Sequence, residues 1–211
     1  MSTAQTNELI KLAHFTSSDV FCDLGCGSGK VVIEVVKRTG VKKAIGIDND
    51  ECQFCKAWPK ACKALKKSRL WRIDFQLADM QDYDYSKATV IYQGTEEAKE
   101  TIAEYRKRLG RKHVSIITKD LPLVGYLPDG ANRKNKGCWL FRMKYPLTRT
   151  NDLAAWIQSV LGRPGTLEQL YRYYRSNLAR HYPDDDNYPD KPVRFLKRLV
   201  EKRFGKMRRK F

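Results

Sequence analysis

An α/β protein built on a mostly parallel sheet, with helices covering both faces, is the fold this sequence predicts, and three observations carry the prediction. The compact apolar run Val20 to Leu24 enters a Gly-rich turn, Gly25-Cys26-Gly27-Ser28-Gly29, and leaves it as a helix with Val31, Val32, Val35 and Val36 at 3.6-residue spacing. A second apolar run, Ala44 to Ile47, completes a βαβ unit and stops at Asp48-Asn49-Asp50. Strands and helices then continue to alternate to about residue 118, which implies parallel strands joined by right-handed crossovers.

Each element has its own signal. Leu9, Ile10, Leu12 and Ala13 give residues 5–14 a helical stripe, and Thr16 to Asp19 breaks it. Gly40 ends the helix that follows the Gly-rich turn. A helix over 51–67, a strand over 73–77, a polar turn from Asp79 to Ser86 and a strand from Thr89 to Tyr92 come next. A helix over 96–109 and a strand from His113 to Thr118 follow. Leu121 to Gly130 reads as a loop rich in turn residues, and Gly137 to Tyr145 as a final, aromatic-rich strand. From 151 onward three helices are expected, over 151–161, 166–180 and 193–204, separated by Gly162 to Gly165 and Pro183 to Pro189. A chain of 211 residues accommodates one core and an appendage, divided here into 1–150 and a basic helical extension, 151–211, packed on or beside it.

Composition narrows the class. Apolar residues make up 42% of the chain, no run is long enough to span a membrane, and the N-terminus lacks a signal-peptide pattern. A soluble, intracellular monomer is expected, with no membrane association. The six cysteines lack the spacing of a disulfide framework. Cys52-x-x-Cys55 with Cys62 offers three zinc ligands, but the segment reads as a helix and no fourth ligand follows, so no metal site is expected. The net charge of +17 is uneven: residues 191–211 hold ten Lys or Arg against the single acid Glu201, which is about half of the imbalance in a tenth of the chain. Such a field draws polyanions through counterion release and steering, or it serves only to keep a tail solvated.

The glycines at 25, 27 and 29 let the backbone approach a ligand at the carboxyl edge of the first strand, where open α/β sheets bind nucleotide-like cofactors. Asp48, nineteen residues after Gly29, is placed to accept hydrogen bonds from a ribose diol. Dinucleotide sites favour G-x-G-x-x-G and bring a pyrophosphate to a helix N-terminus, whereas this turn is G-x-G-x-G preceded by Asp23. A carboxylate there repels phosphate and suits the cationic amino group of a methionyl moiety, so S-adenosylmethionine (SAM) is favoured over NAD.

These residues resemble a known family. Asp23-Leu-Gly-Cys-Gly-Ser-Gly29, Gly46-Ile-Asp48 and Ala78-Asp79-Met80 look like the first three motifs of class I SAM-dependent methyltransferases, over roughly residues 5–145. The resemblance implies a Rossmann-like sheet with an antiparallel last strand. It also implies that Asp23, Gly25 and Gly27 surround the methionyl part, that Asp48 binds the ribose, and that Asp79 with Met80 contacts the adenine, with Cys26 and Asn49 completing the cofactor-binding set. Asp79 can equally be read as a turn residue in a polar stretch.

For the methyl acceptor, Ile91-Tyr92-Gln93-Gly94 stands where enzymes that methylate base amines resemble one another in an Asn/Asp-Pro-Pro-aromatic motif. No cysteine between 62 and 138 supplies a nucleophile for cytosine-ring methylation. The chain is more similar to seven-strand protein lysine methyltransferases, the histone enzymes of the disruptor-of-telomeric-silencing type and short archaeal enzymes. The similarity rests on Asn7 to Ile10 with Asp19 to Gly25, on Ala88 to Ile91, and on Val114 to Asp120 leading into Pro122-Leu-Val-Gly-Tyr126. It departs from both groups at Gln93-Gly94-Thr95 and Glu96-Glu97.

A lysine acceptor needs apolar walls that desolvate its ammonium, and Tyr92, Gln93 and Tyr126 are candidate channel residues, with Trp139 and Phe141 as further walls or as plain core. Glu96 and Glu97 read as solvated helix-start acids, and His14, His113 and His181 as structural or surface residues. An RNA methyltransferase and a non-catalytic binding module are the alternatives. In the last helix, Phe195, Leu196, Leu199, Val200 and Phe204 form one apolar stripe. Arg194, Lys197, Arg198, Lys202 and Arg203, with Lys206, Arg208, Arg209 and Lys210 beyond it, are expected to contact DNA or RNA phosphates without reading sequence. If that partner is chromatin, the location is the nucleoid or nucleus.

Overall fold

The computed structural model describes residues 1–94, 101–110, 112–133, 139–181 and 189–205. Strands β1 (Val20–Leu24), β2 (Lys43–Asp48), β3 (Ile73–Leu77), β4 (Val90–Gln93), β5 (Val114–Lys119), β6 (Gly130–Asn132) and β7 (Leu140–Tyr145) form one seven-stranded sheet in the order β3-β2-β1-β4-β5-β7-β6. The first five strands are mutually parallel, and β7 runs antiparallel to both β5 and β6. The expected mostly parallel sheet with an antiparallel last strand is therefore present. Its order reverses between β1 and β4, which makes the carboxyl edge of those two strands the topological switch point where such sheets bind ligands.

Helices α1 (Thr3–Ala13), α2 (Lys30–Arg38) and α3 (Glu51–Ala64) lie on one face. Leu9, Val32, Val35, Val36 and Ala61 pack there with Phe21, Ile73 and Tyr92 from the strands. Helix α5 (Thr101–Leu109) covers the other face, where Tyr105 and Leu109 meet Leu24, Ile47, Ile91 and Ile116. The caps follow the sequence: Ser2 and Gln5 form a capping box on α1, and Asp50 accepts the Gln53 amide at the start of α3.

Three sequence expectations need correction. The helix expected over 51–67 stops at Ala64, because Leu65 and Lys66 adopt extended backbone before a single turn, α4 (Lys67–Leu70). The segment read as a loop to Gly130 ends in a strand, β6, too short to show a two-residue alternation. The last helix begins three residues earlier than expected, with Pro192 inside its first turn, where a missing amide costs nothing. The expected start of α5 near 96 lies outside the described residues.

The extension folds as α6 (Leu153–Leu161), α7 (Leu167–His181) and α8 (Asp190–Phe204). Trp156, Ile157, Val160, Leu170, Leu178, Leu196 and Val200 bury themselves around Phe141 of β7, so these helices share a core with the sheet's β7 end. No helix among the described residues is long and apolar enough to cross a membrane.

Candidate functional site

Register places the ends of five strands side by side: Leu24 is opposite both Ile47 and Gln93, Asp48 is opposite Leu77, and Gln93 is opposite Thr118. Residues as far apart in sequence as Leu24 and Thr118 thus lie along one edge. The Gly-rich turn leaves that edge from β1. Gly25, Gly27 and Gly29 all have positive φ (79°, 53° and 72°), and the amides of Gly25 and Cys26 both donate to the Ile47 carbonyl at 2.9 Å. Glycine at 29 is needed twice over, since a Cβ there would also sit 2.5 Å from the Phe75 ring.

Two carboxylates frame the turn. Asp48 accepts the Gly27 amide at 2.6 Å through one oxygen and the Asp50 amide at 2.9 Å through the other. A carboxylate has about four acceptor positions, so each oxygen keeps one for a ribose hydroxyl. Asp23 is 2% exposed, and burial, reinforced by the Asp48 charge and opposed by the terminal ammonium, pushes its carboxyl up to about 7. A buried carboxyl held back from ionising is a site that a cationic group would stabilise, and the amino group of a methionyl moiety supplies such a cation. Cys26, between the glycines, has its thiol pushed far up by burial and by these two acids, so it is not a nucleophile at neutral pH.

The third motif reaches the same edge. Ala78 donates to the Asp48 carbonyl at 3.0 Å, which brings Asp79 and Met80 beside the end of β2. Asp79 is exposed and shapes a turn, accepting the Gln81 amide at 2.8 Å, while Met80 is half-buried and Asn49 exposed. The residues read as a cofactor set from sequence are thus gathered in one place.

On the acceptor side the side chains diverge. Tyr92 points to the α1 face, with its hydroxyl 3.1 Å from the Met1 sulfur and close over Gly94. Gln93 points to the opposite face and accepts from the Tyr105 hydroxyl at 3.1 Å. Tyr126, 6% exposed, belongs to that second face as well, and Arg106 approaches its hydroxyl at 3.4 Å. Trp139 and Phe141 are core: Trp139 packs on Tyr173 at 4.3 Å between centroids, and Phe141 is fully buried with the C-terminal helices. Thr95, Glu96 and Glu97 lie outside the described residues.

Asp120 has no marker in the sequence. It stands just past the end of β5, 5% exposed and with φ 66°, a left-handed conformation uncommon outside glycine. Its amide donates to the Trp139 carbonyl at 2.6 Å and Lys119 lies 3.5 Å from its carboxylate. Nothing in a Lys-Asp-Leu-Pro string signals a positive φ, so only the structure reveals it.

The loop carrying Pro122 to Tyr126 is pinned from the C-terminal side. Thr150 donates to the Gly125 carbonyl at 2.9 Å, and Arg203 of α8 lies across Gly125 while donating to the Thr150 carbonyl at 2.8 Å and to Asn151 at 3.0 Å. Arg203 is therefore turned inward as a clamp, in contrast to the phosphate contact expected of it. Arg194, Lys197, Arg198 and Lys202 are exposed, as the stripe reading required; Lys206, Arg208, Arg209 and Lys210 lie outside the described residues. No cluster of metal-ligating side chains exists among the described residues.

Sheet order and site together define the class I methyltransferase fold. A solved structure of that fold, an RNA methyltransferase from Salinibacter ruber in complex with S-adenosyl-L-homocysteine, covers 72% of this chain and 97% of its own, with a TM-score of 0.64 and 22% identity. Within the fold, residues 1–102 match the family of the histone methylation protein DOT1, just under half of the chain. Two curated relatives are similar over short stretches. A carboxy-S-adenosyl-L-methionine synthase of Wolinella succinogenes is 39% identical over 71 residues, 33% of this chain and 28% of that protein. A protein-lysine N-methyltransferase of Saccharolobus islandicus is 41% identical over 44 residues, 20% of this chain and 27% of that protein. The chain thus spans less than a third of the length of either relative. The likeness to class I methyltransferases and to lysine-methylating enzymes that the motifs suggested recurs in these matches.

Proposed function

We propose that this protein transfers a methyl group from SAM to the side-chain amine of a lysine in a nucleic-acid-associated protein. The observation that carries the cofactor is the pairing of buried Asp23 and hydrogen-bonded Asp48 around a turn of three positive-φ glycines. Asp23 with the Gly25 to Gly27 backbone would hold the methionyl amino group, Asp48 and Asn49 the ribose, and Asp79 with Met80 the adenine. SAM supplies an electrophilic methyl on a sulfonium. The lysine acceptor is supported by the match of residues 1–102 to a histone-methylating family and by the local likeness to a protein-lysine methyltransferase.

The chain's own work follows from charge. A lysine ammonium near pKa 10.4 has no lone pair and repels a sulfonium, so it must first lose a proton to water. Of the three channel candidates, Gln93 and Tyr126 share a face of the sheet and would exclude water and lower that pKa by desolvation, whereas Tyr92 turns to the opposite face beside Met1. Aligning the freed amine with the methyl and sulfur then permits in-line displacement. The exposed cations of α8 would hold the substrate's nucleic acid through its phosphates.

Incubation with methyl-labelled SAM, an undermethylated protein extract and purified RNA tests this. Label that survives nuclease, is released by protease and is recovered on lysine is expected. Label on RNA alone would transfer the reading to an RNA methyltransferase, and none in either fraction would reduce the protein to a binding module. Asp48→Ala should abolish calorimetric SAM binding, and unchanged affinity would refute the cofactor site.

A further inference from the structure

A second concentration of positive charge lies at the sheet edge opposite the extension. Between Lys56 and Arg72 the chain carries seven Lys or Arg and no acid. This segment forms α3's outer face, α4 and the entry to β3, the terminal strand of the sheet. Lys56, Lys60, Lys63, Lys66 and Lys67 are all exposed.

Charge alone would suggest a solvated face. The aromatics argue otherwise. Trp58 and Trp71 are 47% and 67% exposed, and with Leu77 they are the exposed large hydrophobics among the described residues, all three at this one edge. Each indole is held in place: Trp58 packs edge-on against Phe75 at 6.1 Å, and the Arg72 guanidinium lies 5.4 Å from the Trp71 ring. Lys60 reaches from the same helix to the Ser28 hydroxyl at 2.6 Å, so the surface is continuous with the Gly-rich turn.

We infer that the α3–α4 edge binds single-stranded RNA, with bases stacked on Trp58 and Trp71 and phosphates on the surrounding lysines. A duplex buries its base faces and would leave both indoles idle, whereas loops and ends of RNA present unstacked bases that aromatic and guanidinium planes accept. An acidic protein would answer the charge and leave the flat rings without a role. The inference does not depend on which group is methylated, and its test needs no cofactor.

The test is binding of the full chain to a fluorescein-labelled RNA of about 12 nucleotides, within the length range such surfaces cover. The same length of single-stranded DNA, the RNA duplex and poly-glutamate serve as competitors, and tryptophan quenching is followed in parallel. The RNA strand is expected to bind most tightly and to quench emission, since Trp156 is fully buried and Trp139 is packed on Tyr173. Trp58→Ala and Trp71→Ala should each weaken binding about tenfold, the scale of losing one stacked base, while Trp→Phe at either position retains most of it. Replacing Lys63, Lys66 and Lys67 with Gln should reduce the salt slope by about two. Far-UV circular dichroism and the midpoint of denaturant unfolding, unchanged in these variants, certify the fold. Tighter binding of DNA, equal binding of duplex or poly-glutamate, or indifference to the tryptophan substitutions would overturn the inference.

Discussion

The two ends of the sheet are built by different means. At the β3-β2-β1 end, each side chain of interest is placed by rules that act over a few residues: positive-φ glycines, an acid at a strand end, an Asp cap on α3. At the β5-β7-β6 end, placement depends on helices that arrive late in the chain, with Trp156, Leu170 and Leu196 closing over Phe141 and Arg203 reaching back to Gly125. The basic surfaces differ in the same sense. Leu196, Val200 and Phe204 of α8 are turned into the core and its exposed residues are all cations, whereas α3–α4 keeps two indoles at the surface. Under the proposed function the first end holds the cofactor, and the second is a packed support that touches the loop at Gly125 through Arg203.

The sharpest way to separate the ends is to damage the packed one. Trp156 is fully buried, and its indole nitrogen has no hydrogen-bond partner among the described residues, so Trp156→Ala removes packing and no polar contact. A loss of about 3–5 kcal/mol is expected in denaturant unfolding. If the two ends are independent, the folded fraction at low temperature keeps its SAM affinity. A fall in affinity as large as the fall in stability would merge them.

Gly29→Ala attacks the other end. The change forces φ 72° on an L residue and puts a methyl against the Phe75 ring, for about 1–3 kcal/mol of destabilisation together with weakened SAM binding. Adding Phe75→Leu should recover the steric share and leave the backbone share. Full recovery would show that the left-handed turn carries no strain of its own.

This division also explains what could be read from sequence. Glycine spacing, the Val31 to Val36 stripe and the acid after Ile47 are short-range patterns with a single structural solution, and the parallel part of the sheet and its cofactor-side elements were legible from them, as the exposed face of α8 was from its own stripe. Pairwise placements across the fold were not. Arg203 looks like one more cation on a basic helix until Gly125 is seen beneath it, and the φ of Asp120 has no marker in its neighbours. Trp58 was hidden by the helical pattern, which says which face is outside and not that an indole is left on it, and Trp71 fell between the expected helix and strand, where no periodicity reports its exposure.

A pH titration sharpens the cofactor end. Asp23 titrates near 7 when folded and near its ordinary value when unfolded, so the native state without cofactor holds a proton that the unfolded chain releases. Stability should therefore decline as pH rises from about 4 to 7 by this group's contribution, and Asp23→Asn should flatten that slope. A bound cationic amino group needs Asp23 ionised. SAM affinity should consequently fall as pH drops below 7, by up to about tenfold per unit. An affinity independent of pH from 5 to 8 would place the amino group elsewhere.

The smallest expected effect is the most informative about how the ends communicate. Arg203 is only half-buried, so Arg203→Ala, which removes its hydrogen bonds to Thr150 and Asn151, should cost about 1 kcal/mol. Its functional signature should be larger than that figure suggests. The side chain lies across Gly125, in the loop that holds Tyr126 over the second sheet face, and far along the sheet from Asp48. A clamp acting on the acceptor side alone raises KM for the methyl acceptor and leaves SAM affinity intact, and Arg203→Lys, which keeps the charge and loses the two-pronged geometry, should behave like the alanine variant. Were Arg203 instead one of α8's phosphate contacts, Arg203→Lys would restore acceptor KM and only the salt dependence of Arg203→Ala would change, so the lysine variant decides whether α8 is a docking face, a support for the loop, or both at different residues.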